Sequence, residues 1–205
     1  MEKAITLAFF VGFVTASPLG PVGLLCLRRF ISFGNSSGLI SALGIACAYS
    51  FWTYVVVHGL SNISNLVEED SLILEMVIGL FFLLYGLYGI FTTTTTKSTV
   101  LRRKKGISIF LSTLLVVFLN PGTFIMFSAI FALLGLAKKN FVMVGSLEIA
   151  TSVFIGTLCF WSFTMLVIQK IKDSLTDLTF NTISRFSSYA ITFFGGAILV
   201  YSLVW

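Results

Sequence analysis

Apolar stretches of membrane-spanning length follow one another along almost the whole chain, and this succession constrains the fold most. They occupy residues 4–31, 39–60, 72–91, 107–137, 141–169 and 186–205. A transmembrane helix needs about 20 mostly apolar residues to cross about 30 Å of hydrocarbon. Charged residues make up 10% of the chain, against about 25% in soluble domains. The sequence therefore predicts an all-α polytopic membrane protein with six transmembrane helices, and excludes a soluble enzyme or a disordered chain.

The basic residues indicate how the helices are oriented, because Lys and Arg gather in the cytoplasmic loops of membrane proteins. Ten of the thirteen fall in the first, third and fifth loops, including Arg28 and Arg29 in the first loop and a basic run in the loop 92–106. We predict that these loops face the cytoplasm and that both termini lie outside it. The protein is then a multi-pass protein of the cell (inner) membrane. Its net charge of +5 is a topology signal, not a sign of nucleic-acid binding.

The two halves of the chain carry matching interruptions. The first apolar stretch contains the segment Ser17-Pro18-Leu19-Gly20-Pro21, and the fourth contains Asn120-Pro121-Gly122. Pro121 follows Pro18 by 103 residues, about half the chain. Because a three-helix unit crosses the membrane an odd number of times, its second copy must lie inverted. The sequence predicts a single transmembrane domain over 1–205, an inverted 3+3 repeat with units of about 1–96 and 104–205, whose first and fourth helices are broken.

The fourth helix is expected to restart at its break. Proline interrupts the backbone hydrogen-bond ladder but is well accommodated at the first position of a new helical segment, and Asn is a preferred N-cap. Asn120 and Pro121 therefore predict a cap and a restart. This arrangement would leave the N–H groups of Gly122, Thr123 and Phe124 without intrahelical acceptors.

The first helix is expected to restart in the same way after Pro18 and Gly20, with Pro21 opening a segment whose free amides belong to Val22 and Gly23. Two restarted helices entering from opposite sides place two positive dipole ends near the midplane. Such an end favours a negative group by about 0.3–1 kcal/mol when exposed and by up to about 2 kcal/mol when partly buried. Paired interrupted segments in two halves point to the binding site of a transporter, here one for a carboxylate or a similar anion.

At these breaks the sequence resembles the lysine/threonine exporter family of bacterial amino-acid efflux proteins. The Pro-Gly-Pro element of that family stands here as Pro18-Leu19-Gly20-Pro21, one residue looser. The run from Gly38 to Ala46 is similar to the family's entry into the second helix, and the run from Asn120 to Phe124 is similar to its fourth-helix motif. The resemblance implies a six-helix exporter of amino acids.

Two positions depart from the family's pattern. The family often has an acidic residue where Tyr49 stands and a lysine where Gly122 stands. The resemblance therefore carries over neither the acid that would couple protons nor a preference for cationic substrates. The candidate substrate-binding residues are Pro18, Gly20, Pro21, Val22, Gly23, Tyr49, Asn120, Pro121, Gly122 and Thr123, and Glu148 is a candidate for ion coupling.

The leading interpretation is a secondary transporter that exports amino acids or similar small zwitterions or anions by alternating access. It has no catalytic residue, metal or cofactor, and its partners are a small-molecule substrate and the lipid bilayer, with a homo-oligomer as an alternative to a monomer. An ion or metal-cation exporter of the same plan would need an intramembrane carboxylate cluster. A membrane thiol-redox protein would need a cysteine at each break, whereas Cys26, Cys47 and Cys159 are interpreted as small hydrophobic residues. A non-transporting scaffold is a further alternative.

The orientation can be tested by labelling single cysteines in a background in which the three native cysteines are replaced by Ala. A cysteine between Glu68 and Asp70 should react with a membrane-impermeant maleimide added outside intact cells. A cysteine at Arg103 should react only after the membrane is permeabilised. The opposite pattern would overturn the predicted orientation.

Overall fold

The computed structural model describes residues 2–17, 21–62, 71–92, 106–134, 139–171 and 177–204, and every element within these ranges is an α-helix. The elements are α1 (Glu2–Thr15), α2 (Pro21–Phe33), α3 (Asn35–Asn62), α4 (Ser71–Thr92), α5 (Gly106–Phe118), α6 (Pro121–Leu133), α7 (Lys139–Ile171) and α8 (Asp177–Val204). The basic segment of the loop 92–106 and the acidic turn before α4 lie outside the described residues.

Both predicted interruptions occur. The first helix ends at Thr15 and a new one begins at Pro21, and the fourth ends at Phe118 and resumes at Pro121. The last helix begins at Asp177, nine residues before the apolar run that was predicted to start it. The difference arises because an apolar run locates the stretch suited to lipid, whereas the backbone hydrogen bonds of a helix continue through polar sequence.

The middle helix in each half of the chain is long enough to span a membrane. Within the described ranges, Asn35–Gly59 and Gly145–Lys170 are long and apolar enough to cross a membrane. The pair Gly106–Phe118 and Gly122–Ala132, bent by 62°, gives a third span if it is counted as one. Two shorter apolar helices cover Gly79–Phe91 and Ile191–Ser202. The structure is thus that of an integral membrane protein with two or three spans by this measure, and the count of six stays a prediction.

Helices α1 and α7 run parallel and pack backbone to backbone. The residues that meet follow the same order along both helices: Phe9 with Gly156, Gly12 with Thr157, and Phe13 with Phe160. The hydroxyl of Thr157 donates to the carbonyl of Gly12 over 3.2 Å. Small residues permit this close approach, which lets van der Waals contact hold helices together where lipid provides no hydrophobic driving force.

Helices α3 and α5 also run parallel at close range. The order of their contacts is Ile40 with Gly106, Gly44 with Phe110, and Trp52 with Phe118. A methyl group on Gly44 would stand 2.9 Å from the carbonyl oxygen of Phe110. On another side, α3 contacts α7, where the hydroxyl of Ser50 donates to the carbonyl of Ala150 over 2.9 Å. Helix α3 therefore joins the two halves of the chain.

Helices α4 and α8 form an antiparallel pair with a seam of small residues. The contacts run in opposite order along the two helices: Gly79 with Leu199, Gly86 with Thr192, and Gly89 with Ser188. Gly195 lies against the backbone of Phe82 and Leu83 from the other side of the seam. The pair packs mainly on itself and meets the rest of the bundle through α6 and α2.

Arg28 and Arg29 both lie inside α2 rather than in the first loop to which the sequence assigned them, and Arg29 is buried. Its side chain is 6% exposed, and its guanidinium donates to α3 and α5. The acceptors are the hydroxyls of Ser41 (3.4 Å), Ser112 (2.8 Å) and Thr113 and the carbonyl of Ile109 (3.1 Å). Arg29 thus acts as a cross-link between three helices, and its contribution to the predicted charge bias has to be removed.

The close packing of α4 against α8 predicts that a single methyl group added at Gly195 destabilises the protein. Gly195→Ala should lower the stability of the detergent-solubilised protein by about 1–3 kcal/mol, because the added carbon overlaps backbone atoms that cannot move aside. The matched control is Gly59→Ala, where a Cβ has no neighbour within 4 Å. That change should leave the melting temperature unchanged or raise it. Equal melting temperatures for the two variants would contradict the seam.

The Arg29 cross-link predicts a second stability effect. Thr113→Val removes one acceptor from a buried guanidinium and should cost about 1.5–3 kcal/mol, as for hydrogen bonds to charged groups. Thr6→Val is the control, because the hydroxyl of Thr6 is exposed and donates only to the carbonyl of Glu2 in its own helix. Thermal unfolding of both variants measures the difference, and a Thr113→Val protein as stable as the control would refute the cross-link.

Candidate functional site

The break in the fourth helix is capped by its own sequence. Asn120 has extended backbone angles (φ −84°, ψ 105°), and its side-chain oxygen accepts from the N–H of Gly122 over 3.0 Å. The N–H of Thr123 donates to the carbonyl of Asn120 over 3.0 Å. The predicted cap and restart are therefore confirmed, but the amides of Gly122 and Thr123 are not free as predicted. Asn120 satisfies both, so an anion could use the amide of Gly122 only by displacing the Asn120 side chain.

An aromatic side chain from α3 lies across this break. The indole of Trp52 stacks on Phe118, the last residue of α5, with ring centroids 5.1 Å apart and an interplanar angle of 26°. The same indole meets Phe124 in the first turn of α6 at 5.0 Å. Trp52 thus contacts both arms of the bent helix and fixes their relative position.

Tyr49 connects the two breaks. Its hydroxyl donates to the carbonyl of Thr15, the last residue of α1, over 3.5 Å, a long hydrogen bond. Its ring meets Phe127 of α6 edge to face at 5.0 Å. The ring of Tyr85 on α4 lies beside Gly122 at the start of α6. The end of α1 and the start of α6 therefore border one region of the bundle.

The predicted residues of the first break are only partly described. Pro18 and Gly20 lie outside the described residues, and Pro21 is the first residue of α2. Val22 is buried in a cluster that also contains Ala16 and Trp161, while Gly23 is half-buried. In the second break, Thr123 is buried and Gly122 is half-buried. Asn120, Gly122 and Thr123 thus lie together at the second break, and Tyr49 contacts Phe127 further along the same helix. Of the first break, the structure describes the two flanking helices.

Three buried polar atoms lack a hydrogen-bond partner in the described part of the chain. They are Nε1 of Trp52, Oγ1 of Thr53 and Nε1 of Trp161. Thr53 and Tyr85 were not among the residues predicted from the sequence, and Trp52 was not assigned to the site. The spacing of two of them is a signal that could have found them: together with Tyr49, Trp52 and Thr53 stand at i, i+3 and i+4 and share one face of α3.

The coupling, metal and redox alternatives depend on the positions of acidic and cysteine side chains. The side chain of Glu148 is exposed on α7, and no described contact joins it to Tyr49 or to the break at Asn120. In these ranges no group of three or more His, Cys, Asp or Glu residues could hold a metal ion. The three cysteines are free, with Cys26 buried, Cys47 half-buried and Cys159 exposed.

A helical membrane protein whose two interrupted helices meet at a partly polar interior has the architecture of a membrane transporter. The chain matches the family model described as LysE type translocator over residues 13–202, nearly its whole length, and it belongs to that family. The family consists of transporters, so a small-molecule substrate and a lipid bilayer are its partners and no enzymatic activity is assigned to it.

Two further comparisons add little. A segment of 48 residues is 44% identical to part of Protein TIC 214 of Adiantum capillus-veneris, covering 23% of this chain. The chain spans about 3% of the length of that protein, so this likeness carries no argument about function. No solved structure matches.

Proposed function

We propose that this translocator is a secondary transporter that exports amino acids or similar small zwitterions by alternating access. The observation that carries the proposal is the position of Tyr49, whose hydroxyl reaches the end of α1 and whose ring packs on α6. Both interrupted helices therefore border the same partly polar interior. Irregular backbone at membrane depth is tolerated where it is buried in protein or lines a cavity, as at the binding sites of transporters with broken helices.

The directions of the packed helices support six spans in an inverted repeat. In such a plan, α1 and α7 belong to the first and fifth crossings and run parallel. Helices α3 and α5 belong to the second and fourth crossings and also run parallel, whereas α4 and α8 run antiparallel. All three relationships match the contacts described above. In the inverted repeat, α1 corresponds to α5 and α7 corresponds to α3. A two-fold axis in the membrane plane therefore relates the α1–α7 pair to the α5–α3 pair, and both pairs are parallel.

The proposed transporter comprises one transmembrane domain over 1–205 in the cell (inner) membrane. The first, third and fifth loops, including the basic loop 92–106, face the cytoplasm, and both termini face outward. This orientation rests on the distribution of Lys and Arg. Removing Arg29 from the count leaves nine basic residues on the cytoplasmic side against three on the other, so the bias survives the correction.

The chemistry at Asn120 favours a substrate carboxylate at the start of α6. A helix N-terminus attracts negative charge through its dipole and its first N–H groups. The Asn120 side-chain oxygen already occupies the N–H of Gly122 in the manner that a carboxylate oxygen would. In the empty site, the Asn120 oxygen keeps the N–H of Gly122 hydrogen-bonded. A bound carboxylate is expected to replace this oxygen or to bind beside it.

This proposal predicts that Asn120→Asp separates stability from transport. Asp is as good an N-cap as Asn, and its charge suits a helix N-terminus, so the melting temperature should be unchanged. The added negative charge should repel a substrate carboxylate, and export of an amino acid from loaded proteoliposomes should fall at least tenfold per folded molecule. An amino-acid amide should also compete poorly with the parent zwitterion, because it lacks the carboxylate.

The matched control is Asn35→Asp, the same change at the start of α3, which should transport normally. Asn120→Ala completes the set, because it removes the cap and should cost about 0.5–2 kcal/mol of stability. Normal export by Asn120→Asp, together with equal competition by the amide, would show that Asn120 is a structural cap alone. The proposed substrate site would then be wrong.

A further inference from the structure

The unpartnered polar atoms of α3 require an explanation of their own. The side chain of Thr53 is 0% exposed, and neither its hydroxyl nor the indole N–H of Trp52 has a partner in the described residues. Leaving a buried donor or acceptor unsatisfied costs about 1–3 kcal/mol. A threonine hydroxyl inside a helix can donate to the carbonyl four residues earlier, as Thr15 does to Val11, but Thr53 does not.

These atoms lie beside a third polar group that is only weakly satisfied. Tyr49 stands four residues before Thr53 and three before Trp52, so the three side chains project from one face of α3. The hydroxyl of Tyr49 makes only the long 3.5 Å bond to Thr15. One helical face therefore offers an indole donor and two hydroxyls that can donate or accept, with unused capacity on each.

The position of this face links it to both breaks. Tyr49 reaches the carbonyl end of α1, and Trp52 contacts both arms of the bent helix around Asn120. Buried apolar side chains pack against Tyr49 and Trp52, among them Phe127, Val56 and Val57. A hydrogen bond made to a charged group in such surroundings is stronger than one made in water.

We propose that Tyr49, Trp52 and Thr53 form the surface of α3 that binds the charged amino and carboxylate groups of the substrate. The indole N–H of Trp52 donates to a carboxylate oxygen, next to the start of α6. The hydroxyl oxygen of Thr53 and the carbonyl of Thr15 accept from the ammonium group. Tyr49 can serve either end. This assignment rests on the proposed function and specifies which residues perform it.

The assignment makes an unusual prediction for Thr53→Val, a change of nearly equal volume. Without substrate the variant should melt at the same or a higher temperature, because an unsatisfied hydroxyl has been removed. Its affinity for substrate should fall about tenfold or more, the loss expected for a hydrogen bond to a charged group. Trp52→Phe should lose affinity by a similar factor, since it deletes the N–H and keeps an aromatic ring at the break.

The experiment measures the rise in melting temperature of the full-length protein in detergent with each of the twenty standard L-amino acids. The amino acid giving the largest rise is then titrated against each variant. Thr157→Val is one control: its hydroxyl is also buried but donates to Gly12, so the variant should be less stable and bind normally. Trp161→Phe is the other, since it removes an equally unpartnered indole N–H outside this face and should bind normally.

The possible outcomes distinguish failure of the α3 assignment from failure of the proposed function. If the wild-type protein binds an amino acid and Thr53→Val and Trp52→Phe bind it with unchanged affinity, the α3 surface is not the binding surface, while the proposed function stands. Equal losses in the two controls would also overturn the assignment, because the effect would not be specific to this face. If no amino acid shifts the wild-type melting temperature or is exported from proteoliposomes, both proposals fail.

Discussion

Hydrocarbon offers no partner for a backbone N–H or carbonyl group, and the architecture of this protein depends on that constraint. A helix can be interrupted inside the membrane only where protein groups replace the lost ladder bonds. Asn120 does this at the fourth helix by capping Gly122 with its side chain and Thr123 with its carbonyl. The stacked indole of Trp52 then holds the two arms in place. The break thus becomes a fixed structural element.

Close packing supplies the rest of the stability, and glycine makes it possible. At Gly12 and Gly156, the backbones of α1 and α7 come into contact. Gly44 allows the same approach between α3 and α5, and Gly195 allows it between α4 and α8. Packing at this distance leaves little freedom in helix direction or register. The polar groups that remain unsatisfied in the described part of such a tightly packed bundle therefore stand out, and two of the three belong to one face of α3.

Arg29 illustrates how neutral groups in the described part of this interior accommodate a charge. Its guanidinium is surrounded by neutral oxygens from α3 and α5, and the hydroxyls of Ser112 and Thr113 direct their own protons to the carbonyl of Ile109. Oriented dipoles replace the water that the ion has lost, while the hydrogen bonds join α2 to two other helices. A residue that the sequence assigned to a loop thereby becomes part of the core.

The sequence by itself determined the helical class, the approximate extent of each helix and both interruptions, because hydrophobic length, proline and an asparagine cap act locally. Asn120 was also identified as a cap from a local signal, whereas Tyr49 became a candidate through the family resemblance. Tertiary structure alone decided that the hydroxyl of Tyr49 reaches the end of α1, that Tyr85 lies beside Gly122, and that Arg29 is buried. Such facts depend on which helices meet, and therefore on contacts between residues far apart in the chain. Hydropathy and spacing describe one segment at a time and cannot contain that information.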